Sequence, residues 1–219
     1  MKIHVVRNVL DAGEAAAETN RRRMDEAGVL GVNLLSAPGS GKTTLLEKTI
    51  PALGPDHRCA VLVGDLQTTR DAERLGHLAA EITQINTGRG CHLSAAEVAR
   101  GLDSLNLDRV SFLFIENVGN MVCPAAFDLG EHLRAVLLST PEGDDKVAKY
   151  PVLFQTADAI LLTKTDLIGV LEFDLDRVRD DLSRVNTGAP LILMSPKTGE
   201  GLEPWLAWLM EQRRGRDKQ

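Results

Sequence analysis

The segment VNLLSAPGSGKTTLL, residues 32–46, constrains the fold more than any other part of the chain. It reads as an apolar run, a glycine-rich loop and the start of a helix. Ser36 to Thr43 fits the pattern G-x-x-x-x-G-K-[ST], with Ser36 in place of the first glycine. Such a loop works only if a strand delivers it and a helix leaves it. Gly39 and Gly41 let the backbone turn its N–H groups inward around phosphate oxygens, Lys42 reaches the β and γ phosphates, and Thr43 offers a hydroxyl to Mg²⁺. The positive end of the following helix adds to the attraction. Pro38, Gly39, Ser40, Gly41, Lys42, Thr43 and Thr44 are therefore the candidate phosphate-binding residues.

The rest of the chain repeats the strand–helix alternation. Apolar runs at 32–35, 60–63, 81–85, 111–115, 135–138, 159–162 and 191–194 are rich in Val, Ile and Leu, with little polar alternation. Strands covered on both faces look like this, as in a parallel sheet. Helical patterns lie between them at 44–51, 70–79, 94–105, 175–185 and 204–212. The predicted class is α/β: a P-loop NTPase, with an open, mostly parallel sheet and helices on both faces. No repeat or low-complexity linker divides the 219 residues, so the expectation is a single P-loop domain over 1–219, with an extra N-terminal helix at about 8–27.

Base selection is written late in the chain. LLTKTDL places Lys164 and Asp166 just after an apolar run. The Asp166 carboxylate suits the guanine N1–H and amino group, and the Lys164 stem suits the face of the base. Guanine readers usually carry Asn before the lysine; here it is Thr163, which predicts that one tethering hydrogen bond is weakened, at the expense of nucleotide affinity more than of base choice. SPKTGEG supplies Ser195, Pro196 and Lys197 beside the base. Two carboxylates fall at predicted strand ends. Asp65 in VLVGD and Glu116 in FLFIENVGN are, with Thr43, the candidate Mg²⁺ ligands. Gly119 is placed to offer its N–H to the γ-phosphate. The predicted catalytic set is Lys42, Asp65, Glu116 and Gly119. No Gln or His stands where it would orient the attacking water, so intrinsic hydrolysis of GTP to GDP should be slow.

GRGCHLSAAEV sets Cys91 beside His92, behind Gly88 and Gly90. Ser94 and Glu97 form a Ser-x-x-Glu capping box, so a helix should begin there. Its positive end favours a thiolate at Cys91. Cys123 follows Gly119 by four residues, in a loop that should respond to the γ-phosphate. Two thiolates and an imidazole suit Zn²⁺ or a thiolate-rich Ni²⁺ site. They leave the ligand set open, and a second copy across a two-fold axis could complete it. Cys59, within HRCAVLV, reads as core packing. His4, His57, His77 and His132 have no partner pattern and read as structural or surface residues.

The bulk numbers exclude several classes. A net charge of −6 argues against nucleic acid as the main partner. No apolar run approaches the roughly 18 residues of a membrane span. The first residues lack the apolar core of a signal peptide, so a cytoplasmic protein is expected. The clusters at 21–23 and 213–218 read as solvated basic surface.

Together these segments resemble the HypB family, the hydrogenase nickel-incorporation GTPases among the metal-handling P-loop proteins. The resemblance rests on SAPGSGKTTLLE, GDLQTTRDAERL, GRGCHLSA, FIENVGNMVCPA, EGDDKVAKYP, LLTKTDL and SPKTGEG, and covers nearly the whole chain. It implies a GTP-hydrolysing metallochaperone that delivers nickel during [NiFe]-hydrogenase maturation. Cys91, His92 and Cys123 would hold Ni²⁺ or Zn²⁺ at the interface of a GTP-favoured homodimer, and Lys146 or Lys149 would reach the partner's nucleotide. A separate nickel-binding accessory protein and a hydrogenase large subunit would be its partners. The cysteine-rich or histidine-rich nickel stretch of some members is absent from the start MKIHVVRNVLDAG, so high-affinity nickel storage is not expected.

Two neighbouring families compete. Urease-accessory GTPases carry Cys-Pro-His, whereas Cys123-Pro124 is followed here by Ala125. Membrane-positioning P-loop ATPases carry an early loop lysine, where this chain has Ala37 and Pro38, and an amphipathic C-terminal anchor. The segment around Trp205, Leu206 and Leu209 could supply such an anchor, but packing on the core is the simpler reading.

Overall fold

A computed structural model describes residues 8–65, 69–88 and 90–216. His4, residues 66–68 of the GDLQTTRD motif, Arg89 and Lys218 lie outside the described residues. In chain order the elements are α1 (Asn8–Glu26), β1 (Leu30–Ser36), α2 (Lys42–Leu53), β2 (Arg58–Asp65), α3 (Arg70–Leu75), β3 (Glu81–Asn86), α4 (Ala95–Asp103) and β4 (Val110–Glu116). There follow β5 (Leu133–Ser139), α5 (Lys146–Lys149), α6 (Pro151–Gln155), β6 (Ala159–Thr163), α7 (Leu175–Val185), β7 (Leu191–Leu193) and α8 (Leu202–Arg216). Each expected strand is present.

The strands form one sheet in the order β3-β2-β4-β1-β5-β6-β7, with every neighbouring pair parallel. Alternate β1 residues explain the two layers. Val32 and Leu34 pack with Leu45, Leu46, Leu75, Trp205 and Leu209, from α2, α3 and α8. Leu35 points the other way, into a cluster with Val147, Leu153, Phe154, Val178 and Leu182 from α5, α6 and α7. Under α1 and α4 a third cluster joins Met24, Val98 and Leu102 to Leu62, Leu113 and Ile115. Burial on both faces is why the central strands read as unbroken apolar runs. The edge strand β3 is only partly covered, which departs from the reading of all seven as fully enclosed.

Helix boundaries moved for local reasons. α2 begins at Lys42, because the loop itself ends in the left-handed Gly41. α3 stops at Leu75 rather than running to 79: the carbonyl of Leu75 takes hydrogen bonds from both Leu78 and Ala79, and Ala80 N then joins Cys59 O of β2. α5 and α6 had no sequence signature, being four and five residues long and broken at Tyr150 before Pro151. α8 packs inward: Trp205 and Leu209 are fully buried, and Trp205 Nε1 donates to Thr49 Oγ1 at 3.0 Å. Its apolar face is thus used in the core, which removes the basis for an amphipathic anchor. No helix among the described residues is long and apolar enough to cross a membrane. The 21–23 basic cluster is partly consumed in ion pairs, Arg21 with Asp128 and Arg23 with Asp103.

Candidate functional site: a nucleotide cleft joined to a thiol–imidazole cluster

β1 lies between β4 and β5, and the chain crosses it on the way from one to the other, so the C-terminal strand ends around β1 form the crevice expected at a reversal of strand order. Ser36, Asp65, Glu116, Ser139 and Thr163 each end a strand there. Gly39 and Gly41 have φ of 76° and 100°, in the left-handed region that favours glycine. A cleft of about 380 Å³ is lined by Pro38, Gly39, Gly41, Lys42, Thr43, Thr44, Asp65, Glu116 and Gly119. A second, of about 330 Å³, is lined by Ser40, Gly41, Thr44, Thr163, Lys164, Asp166, Ser195, Pro196 and Lys197. Gly41 and Thr44 belong to both, so the two form one divided groove. Every predicted nucleotide-site residue lines it.

The phosphate half holds opposite charges at low exposure. Lys42 and Glu116 are 8% and 4% exposed. Burial lowers the pKa of Lys42, while Glu116 pulls it back up. Burial raises Glu116 to about 7, against the pull of Lys42 and of the Thr43 hydroxyl. Thr43 Oγ1 donates to Glu116 Oε1 at 2.7 Å, and Lys42 Nζ donates to Ser36 Oγ at 2.9 Å. Glu116 Oε2 is buried without a hydrogen-bond partner among the described residues. An orphaned carboxylate oxygen beside a hydroxyl and the Asp65 carboxylate is the hard oxygen donor set that Mg²⁺ takes, so these residues fit that ion. Gly119 presses on the loop: a Cβ there would lie 2.8 Å from Pro38 N and Cα. Sequence reasoning missed Asp71 and Arg74, which also line this half. Arg74 bonds both Glu47 oxygens and Thr44 Oγ1. It lies within the GDLQTTRDAERL segment, but only the packing of α3 against α2 brings it to the cleft.

In the base half, Ser195 Oγ donates to Asp166 Oδ1 at 2.7 Å, which orients the carboxylate. Lys164 sits at φ 59° and sends Nζ to Gly39 O at 2.7 Å. Thr140 Oγ1 lies 3.1 Å from Thr163 O and 3.0 Å from Lys164 O, which holds this strained backbone in place. The tether expected to be weakened at Thr163 is a short hydrogen bond here. The Thr163 hydroxyl is buried and donates to Ser40 O in the phosphate loop at 2.7 Å, so the tether exists with a different side chain.

Cys91, His92 and Cys123, from two separate loops, bring their donor atoms within 4.8 Å of one another. Cys91 Sγ lies 3.5 Å from His92 Nδ1. The His92 ring stacks on Phe127 with centroids 3.9 Å apart. The capping box at Ser94 and Glu97 is present, but it corrects one expectation. The Cys91 pKa is raised, not lowered, first by its hydrogen bond to the Cys123 thiol and then by desolvation. The neighbouring thiol of Cys123, brought in by the fold, outweighs the helix end. Cys59 is buried and inert, its thiol pushed up to about 12 by burial. His57 lies edge-on to Phe112. Lys146 and Lys149 both pair with Asp145 of their own chain.

The comparisons give the family. Residues 31–193 match the family described as CobW/HypB/UreG, nucleotide-binding domain. The hydrogenase maturation factor HypB of Escherichia coli (strain K12) is 47% identical over 206 residues, covering 94% of this chain and 71% of its own. The probable hydrogenase maturation factor HypB of Methanocaldococcus jannaschii is 41% identical over 207 residues, 94% of each chain. A crystal structure of HypB from Helicobacter pylori in complex with nickel superposes with a TM-score of 0.89 at 41% identity, covering 93% of this chain and 96% of that one. The chain belongs to the CobW/HypB/UreG family of nucleotide-binding proteins, and within it to the HypB hydrogenase maturation factors.

Proposed function

We propose that this chain is a GTP-hydrolysing metallochaperone that holds nickel at Cys91, His92 and Cys123 and releases it to a [NiFe]-hydrogenase large subunit. The observation that carries the reading is the gathering of two thiols and an imidazole at the end of the turn that lines the phosphate cleft. The open ligand set, with Cys91 exposed, suits a cargo ion that must leave, as Ni²⁺ or Zn²⁺. A second copy of the chain would complete it, giving a homodimer favoured by GTP. A separate nickel-binding accessory protein would exchange the ion with it, in the cytoplasm.

The base half selects guanine: Asp166, oriented by Ser195, accepts from the two N–H groups that guanine presents and adenine lacks. Bound Mg²⁺ would supply charge neutralisation at the phosphates, held by Thr43 and Glu116 with Asp65 beside them. Lys42 balances charge on the β and γ phosphates, and the Gly119 N–H positions the γ-phosphate. Slow hydrolysis is expected, since among the described residues no Gln or His lines the phosphate half to orient water.

Metal titration with GDP and with a non-hydrolysable GTP analogue, in wild type and Cys91→Ala, tests the metal half. The analogue should shift binding towards one shared ion per two chains, and Cys91→Ala should abolish that site. Unchanged binding in the variant would remove the reading. Turnover of GTP against ATP tests the base half; equal rates would count against guanine selection.

A further inference from the structure

The turn between the phosphate cleft and Cys123 carries two asparagines that a metal site alone would not need. Asn117 is buried, and its Oδ1 accepts from Leu93 N at 3.1 Å and Val118 N at 2.9 Å. Its own N–H reaches Leu34 O of β1. Three residues on, Asn120 makes four contacts on three segments. Its main-chain N–H donates to Ser36 O, where the phosphate loop begins, at 2.8 Å. Its Nδ2 donates to Cys91 O at 3.3 Å. Its Oδ1 accepts from Val122 N at 2.8 Å and Cys123 N at 3.4 Å. The amide orientation follows from these partners, since both backbone donors meet the oxygen and the carbonyl meets the nitrogen. Gly119, the residue just before it, is the one pressed against Pro38.

From this geometry we propose that Asn120 is the positioning residue that transmits nucleotide state to the metal ligands. The inference rests on the function proposed above. Its backbone is fixed to the carbonyl of Ser36, whose hydroxyl takes the Lys42 ammonium. Its side chain holds the backbone of Cys91 and of Cys123 at once. Any shift of Gly119 on the phosphate loop therefore pulls on both thiol-bearing loops through this one side chain and resets their separation. Without that side chain, two loops remain that can each bind an ion but no longer take their spacing from the cleft. Asn117 pins the same loop from the core, but its burial makes it a poor test residue.

The experiment is Ni²⁺ titration followed by thiolate-to-nickel charge-transfer absorption, with GDP and with the non-hydrolysable GTP analogue. It is run on wild type, Asn120→Ala, Asn120→Asp and, as the control for the site itself, Cys91→Ala. The quantity read is the ratio of nickel Kd values between the two nucleotide states. Asn120→Ala should bring that ratio to about one, while metal-free nucleotide affinity changes by no more than about twofold. Asn120→Asp is nearly isosteric and keeps the acceptor for Val122 and Cys123, but loses the donor to Cys91. It should weaken nickel binding by about tenfold, the usual worth of one such bond, and shrink the ratio without abolishing it. A wild-type ratio retained in the Ala variant overturns the proposal, and so does one retained in the Asp variant if Ala does not fold. A wild type that ignores nucleotide overturns it too, yet leaves the metal site standing provided Cys91→Ala loses nickel.

Discussion

The nucleotide groove and the thiol–imidazole cluster are adjacent, yet they are built on opposite principles. The groove stands on strand ends and on the first turn of α2, with Lys42, Thr43 and Glu116 nearly enclosed and already bonded to neighbours. The cluster stands on two loops, one donor exposed and the others partly so, braced by Asn120 and Phe127. The difference suits the two tasks. Charge on a phosphate is best met by groups fixed in advance at low dielectric. An ion that is to be passed on needs ligands that can move and a coordination sphere left open.

The strongest way to break this contrast is Lys42→Ala. It removes the buried cation that holds the Glu116 pKa down, so Glu116 should take up a proton more readily and the cleft should lose its countercharge for phosphate. Nucleotide affinity, measured by calorimetry, should fall by at least about 100-fold, while nickel binding at the cluster without nucleotide persists. If metal binding collapsed as well, the two regions would not be separable.

Cys123→Ala is the reverse cut. Loss of one of three ligands should weaken nickel by about 100-fold or more, beyond the 10–100-fold typical of an outer-shell loss. Nucleotide affinity should hold, and the melting temperature should barely move because the side chain is only partly buried.

A third region at the opposite end of the sheet sharpens the comparison by serving neither ligand. The His132 ring is 1% exposed, accepts from Gly31 N at 2.9 Å through Nδ1, and places Nε2 3.2 Å from Asp25 Oδ1. Burial lowers its pKa to about 4, helped by Arg216 and opposed by Asp25. The unfolded chain, near 6.5, therefore binds the proton first. Stability should rise with pH from 4 to 6.5 and be lost as pH falls through that window, by about 2–3 kcal/mol. Thermal melts of wild type and His132→Gln should differ in slope there, equally with and without nucleotide or nickel.

Phe127→Ala gives the smallest effect. The stacked ring is worth about 0.5–1.5 kcal/mol to the placement of His92. Nickel affinity should drop several-fold in the same titration, with nucleotide affinity unchanged; no change would mean that the loop holds His92 without the ring.

The groove was legible because its chemistry is local. Gly39, Gly41, Lys42 and Thr43 act within one loop, and the order of LLTKTDL and SPK along the chain matches the order of strand ends. Asp71 and Arg74 were not legible as site residues, because only the packing of α3 on α2 brings them to the lining of the cleft. Thr163 was misread: a threonine hydroxyl can reach Ser40 O once β6 lies beside β5, and that neighbourhood is tertiary. The Cys91 thiolate was misread because the Cys123 thiol, which raises its pKa, comes beside it only in the folded chain.

By itself, then, the amino-acid sequence determined the seven strands and the phosphate loop, and it singled out the residues proposed to read the base and to hold the metal. Apolar runs, glycine positions and short motifs are properties of neighbours along the chain. Only the tertiary structure decided that Cys123 meets Cys91 and that Asn120 holds both to the phosphate loop. The contacts among Cys91, Asn120 and Cys123 cross about 30 residues of chain, from the loop after β3 to the turn after β4, and that of Asn120 with Ser36 crosses more still; hydrogen bonds of that kind leave no periodic trace in sequence.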